Sequence, residues 1–89
     1  MKHSYLEVTH RKGRPVAAYY YLPRRDGDSN ARTERVDAGL LVDLASDGRA
    51  IGIEISSPSR LDVTVLNEVL VRLGHQPVGR QDLAPLVAA

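Results

Sequence analysis

Leu40-Leu41-Val42-Asp43-Leu44-Ala45-Ser46-Asp47-Gly48-Arg49-Ala50-Ile51-Gly52-Ile53-Glu54-Ile55 reads as one β-hairpin, and the rest of the fold is built outward from it. Aliphatic residues recur at every second position on both sides of Asp47-Gly48, which is the period of a half-buried strand and not of a helix. A two-residue turn at Asp47-Gly48 predicts the cross-strand pairs Leu40–Ile55, Val42–Ile53 and Leu44–Ile51 on one face. A slip of one residue would send the whole set to the other side, so the register is well specified. The opposite face then carries Leu41, Asp43 and Glu54.

Upstream, Asp37-Ala38-Gly39 suits a three-residue hairpin loop with Gly39 in the left-handed region. The short polar strand before it, Arg32–Val36, places Arg35 opposite Leu41 and diagonal to Asp43. Pro23 to Asn30 is a polar loop rich in turn residues and is expected to be the least ordered tip. Another hairpin precedes it. Leu6 and Val8 share one face of a first strand, with Tyr5, Glu7 and Thr9 on the other. A two-residue turn at Lys12-Gly13 predicts Leu6 opposite Tyr19, Val8 opposite Ala17 and Tyr5 opposite Tyr20. Tyr19 and Tyr21 would then lie inside, and Tyr20 outside beside Tyr5.

Downstream the period changes. Ser56 to Ser59 is a connector, and Asp62 or Thr64 can cap a helix. Leu66, Val69, Leu70 and Leu73 form one apolar stripe over two turns. Gly74 supplies a left-handed stop and Pro77 blocks continuation. Arg80 to Val87 predicts a short terminal helix. The expectation is a single α+β domain over residues 1–89: a five-stranded antiparallel β-meander (4–55), a connector (56–62) and a helical C-terminal part (63–87).

Composition narrows the function classes. The 89 residues include no Cys, which removes disulfides, thiolate metal sites and a Cys nucleophile. There is no Phe or Trp, so the core must be aliphatic. No stretch approaches the roughly 18 apolar residues of a membrane span, and the N-terminus lacks the apolar run of a secretion signal, so a cytoplasmic location is expected. Net charge is +1, too near zero to imply a nucleic-acid partner. Residues 1–35 hold eight Lys/Arg against four Asp/Glu, and residues 36–89 four against seven, so the halves carry +4 and −3. Arg11, Lys12, Arg14, Arg24 and Arg25 fall in two separate loops and read as solvated tips.

Residues 42–55 resemble the signature region of small bacterial proteins in domain-of-unknown-function family 2283. There a Val-Asp-x-Asp-x-x-Gly stretch leads into Gly-Ile-Glu-Ile. The Tyr19-Tyr20-Tyr21-Leu22 strand and the Leu66-Asn67-x-x-Leu70 helix are also similar. Ala45 stands where the family often has a second Asp. The resemblance implies a fold and brings no established activity.

The chemistry-bearing residues are few. Asp43, Asp47 and Gly48 share only part of a calcium loop's spacing, since Ala45 contributes no oxygen and the flanks are strands. His3 and His10 lie on opposite faces of one strand, and His75 follows a helix end. Neither a nucleophile with an evident base nor a phosphate-cradling loop is present. Arg35, Asp43 and Glu54 share the open face, where they would form an ion cluster or, alternatively, a ligand site. Tyr5, Tyr20 and Leu41 on the same face predict a homodimer interface. The expected function is therefore a non-catalytic interaction protein without cofactor, self-associating and able to bind another small protein, for example as a toxin-neutralising partner. The alternative is a small-ligand or divalent-metal-binding protein, or a weak hydrolase, using Asp43 and Glu54.

Overall fold

A computed structural model describes residues 3–79 and 81–84. Its elements are β1 (Tyr5–Arg11), β2 (Arg14–Tyr21), β3 (Arg32–Asp37), β4 (Leu40–Leu44), β5 (Ala50–Ile55), a 3-10 turn (Pro58–Arg60) and α1 (Val63–Arg72). The expected five-stranded antiparallel sheet of hairpins with one C-terminal helix is what forms. The strands lie in the order β1-β2-β5-β4-β3. The loop after β2 therefore carries the chain to the far edge, and β5 occupies the middle.

The central hairpin keeps most of its predicted register: Leu40 faces Ile55 and Val42 faces Ile53. Leu44, however, faces Ala50 and not Ile51. The turn is one residue longer than expected, closed by the Ala45 N–H to the Arg49 carbonyl (2.9 Å), with Gly48 at φ +91°. A bulge at Ile51 absorbs the extra residue and restores the pairing beyond it. Ile51 is fully buried, but lies outside the cluster formed by Val42, Leu44 and Ile53.

The β1–β2 hairpin departs further. Lys12 and Gly13 both take positive φ (52° and 78°), and Arg11 faces Arg14, as a two-residue turn requires. The pairing then shifts between Thr9 and His10, so that Thr9 faces Ala17 while His10 faces Pro15. Val16 is the unmatched residue. From there Val8 pairs with Ala18, Leu6 with Tyr20, Glu7 with Tyr19 and Tyr5 with Tyr21. The expected tyrosine faces are thus reversed. Tyr20 joins Leu6 and Val8 against the core, and it is not part of the open face assigned to it. Tyr19 and Tyr21 take its place there. The physical cause is Pro15, which has no N–H for the ladder and is accommodated at a bulge.

One side of the sheet is covered. Leu66, Val69 and Leu70 of α1 pack with Val42, Leu44, Ile53, Ile55, Ala18 and Leu22 in a single aliphatic core. The helix starts where the Asp62 carboxylate accepts the Thr64 N–H (2.9 Å). It ends in a paired arrangement: His75 N–H donates to the Leu70 carbonyl and Gly74 N–H to that of Val71, with Gly74 at φ +83°. Asn67 then clasps the following segment, donating to the Val78 carbonyl and accepting its N–H, which holds Val78 and Leu83 in the core. The final helix expected over 80–87 falls mostly outside the described residues; within them, 81–83 form a turn. No described helix is long and apolar enough to cross a membrane.

Candidate functional site

Among the described residues, no helix covers the other side of the sheet. Two cross-strand rows organise it, each crossing all five strands. One row reads Tyr5, Tyr21, Gly52, Asp43, Thr33, and the next reads Glu7, Tyr19, Glu54, Leu41, Arg35. Glu7, Glu54, Thr33 and Arg35 are exposed, and Tyr5 is 46% exposed.

Three tyrosines form a connected aromatic surface at one end of these rows. Tyr5 stacks on Tyr21 with ring centroids 4.4 Å apart, and Tyr19 meets Tyr21 edge-on at 4.6 Å. Arg24 reaches back from the loop after β2 and holds its guanidinium 5.2 Å from the Tyr21 ring centre. Its Nε donates to the Ile51 carbonyl (3.2 Å) and its Nη2 to the Tyr19 hydroxyl (3.3 Å). That carbonyl also accepts the Leu22 N–H (3.2 Å), so Arg24 docks on the end of the β2–β5 ladder. Arg24 is therefore part of the face and not a solvated tip.

Asp43 is fixed by hydroxyls. Tyr19 donates to its Oδ2 (2.7 Å) and Thr33 to its Oδ1 (2.6 Å). Burial raises the Tyr19 phenol well above the ordinary tyrosine range, and the hydrogen bond to Asp43 and its charge push the same way. Tyr21 is also raised, first by desolvation and then by the Glu7 carboxylate, which stands 3.5 Å from its hydroxyl. Both phenols are thereby held neutral, as donors.

The expected Arg35–Asp43–Glu54 ion cluster does not assemble. All three residues lie on the open face, but Arg35 and Glu54 sit on either side of Leu41. Among the described residues neither forms a salt bridge, and Asp43 bonds neutral hydroxyls. No group of three His, Asp or Glu suited to a metal ion occurs among the described residues. No family model, curated protein or solved structure matches the chain.

The loop expected to be least ordered is tied down. Arg49 grips Asp28 with both terminal nitrogens (3.0 and 2.7 Å) and Asp47 with Nε (2.7 Å). The Arg25 N–H also donates to Asp28 (2.9 Å). The Arg49 hydrogen bonds, with that of Arg25, lower the Asp28 carboxyl to about 2. This clamp anchors the loop that delivers Arg24 to the tyrosines.

Proposed function

We propose that the protein is a non-catalytic binding module that associates with a second copy of itself through the uncovered sheet face. The observation that carries this reading is the contiguous surface of Tyr5, Tyr21, Tyr19 and Arg24, continued by Leu41 across the sheet. Tyrosine and arginine are the residue types that concentrate at the energetic centres of interfaces. Stacking and hydrogen bonding already order these side chains, so a partner costs them little further entropy. A chain of 89 residues buries only about 60–65% of its unfolded surface alone, which gives association a stabilising role.

The metal or ligand alternative draws less support from the site. Both Asp43 oxygens already accept hydrogen bonds, and Glu54 stands apart from them. The similarity of residues 42–55 to domain-of-unknown-function family 2283 belongs with the favoured reading; it suggests a small bacterial, cytoplasmic protein. A second small protein, as in toxin neutralisation, is a further occupant that the same face would suit.

Light scattering across a concentration series tests the proposal. The expected result is a mass rising from near 9.8 kDa to twice that by high micromolar concentration. Tyr5→Ser with Tyr21→Ser should return it to monomer with an unchanged far-ultraviolet dichroism spectrum. A monomer at every concentration would rule the proposal out.

A further inference from the structure

We infer that the two copies pack face to face about a two-fold axis running along β5, with Glu7 of each copy paired to the partner's Arg35. The inference rests on the self-association proposed above and specifies its geometry. Its basis is the row Glu7, Tyr19, Glu54, Leu41, Arg35, which runs from an acid on edge strand β1 to a base on edge strand β3, with β5 at its centre.

A symmetric pair buries the same patch twice, so the patch must complement itself. Rotation about an axis along β5 reverses each row onto its copy. Glu7 then meets the partner's Arg35, Tyr19 meets the partner's Leu41, and Tyr21 meets the partner's Asp43. Rotation about an axis along the row itself would set Glu7 on the partner's Glu7 and Arg35 on the partner's Arg35. Only the first arrangement matches opposite charge at both rims while placing an aromatic ring on an aliphatic side chain. Aligned sheets pack about 30° apart, which moves the rim positions sideways by no more than the reach of an arginine. Glu7 and Arg35 are exposed, and neither forms a salt bridge within its own chain among the described residues. Glu7 accepts only a long hydrogen bond from the Tyr21 hydroxyl (3.5 Å), which leaves its other carboxylate oxygen to pair outward.

The same axis brings Glu54 onto the partner's Glu54. The titratable and charged groups around it are Tyr19 on β2, Asp43 on β4, Glu7 on β1 and Arg35 on β3. Its flanking neighbours in the row are Tyr19 and Leu41, with Arg35 one strand further out, so the central contact is repulsive and limits the strength of the dimer.

Charge reversal within one chain tests the arrangement by sedimentation equilibrium at low salt. Glu7→Arg alone and Arg35→Glu alone should each weaken association about tenfold or more, since each sets like charges together at both rims. The double variant Glu7→Arg/Arg35→Glu should return to within about threefold of the natural chain, because the pairs re-form in the opposite sense. Glu54→Gln should tighten association. High salt should compress all these differences. A dimer in which the double variant is no better than the singles would overturn this geometry and leave self-association standing. A natural chain that stays monomeric would overturn both.

Discussion

The ring of Tyr19 lies over Gly52, in the space that a Cβ at residue 52 would occupy. Gly52 pairs with Asp43 on one side and Tyr21 on the other, so the bare backbone there gives the phenol its route to the Asp43 carboxylate. Glycine is needed at this position for space, since its φ is not among the positive ones.

Gly52→Ala should therefore destabilise the fold by about 1–3 kcal/mol, the usual range for overpacking. The methyl group would displace Tyr19 and break its bond to Asp43. In a Tyr19→Ala background the same methyl group should cost much less. Urea denaturation of the four chains gives the coupling directly, and additive effects would show that the ring does not occupy that space.

Stability should fall at alkaline pH. The Tyr19 phenol is raised in the folded protein relative to the unfolded chain, so the folded state keeps a proton that the unfolded state loses above about pH 10. The stabilisation is complete below that pH and is lost as pH rises through the folded-state value. Tyr19→Phe should flatten the slope of denaturant midpoint against pH. Asp43→Asn should reduce the slope, and at neutral pH it should cost about 1 kcal/mol or less because an amide still offers one acceptor. Added divalent cation should leave the melting temperature of either chain unchanged.

The acid side has a different origin. Asp28 is lowered to about 2 by its hydrogen bonds from Arg49 and the Arg25 N–H. Its contribution is present above the unfolded carboxyl value near 4 and is lost as pH falls toward about 2. Asp28→Asn should remove that part of the acid transition. Amide exchange in residues 23–30 should accelerate first, since the clamp holds that loop.

Ile53→Ala should cost about 2–4 kcal/mol, from lost transfer energy and the cavity left under α1. Ile53 is fully buried between Val42 and Tyr20 with Leu66 and Leu70 in the same core. Chemical denaturation measures the loss, and a change below half a kcal/mol would contradict that packing.

The sequence makes the central hairpin legible because each strand alternates, which sets the Leu40–Ile55 and Val42–Ile53 pairs. The longer turn and bulge that put Leu44 opposite Ala50 leave that alternation intact and so give no sign of themselves. Helix α1 is legible for a similar reason: Asp62, the Leu66/Val69/Leu70/Leu73 stripe and Gly74 agree on its start, buried side and stop. The tyrosine faces were harder to read. Tyr19-Tyr20-Tyr21 has no alternation of its own, so its orientation depends on the residue count back to Gly13. Pro15 was the available signal that this count contains a bulge. Arg24 gives no local signal, because its place is set by contacts distant in sequence: the Asp28–Arg49 clamp, the Ile51 carbonyl and the Tyr19 hydroxyl.

Val16 adds nothing chemically specific to the protein; it is 43% exposed and makes the β1–β2 hairpin one residue longer on one side. Yet its presence decides that two tyrosines face outward and one inward. Loss of a single codon here would exchange them, sending Tyr20 to the surface and Tyr19 and Tyr21 toward the aliphatic core, with Asp43 left behind. A one-residue deletion between Pro15 and Ala17 is thus a greater hazard to this surface than most substitutions within it.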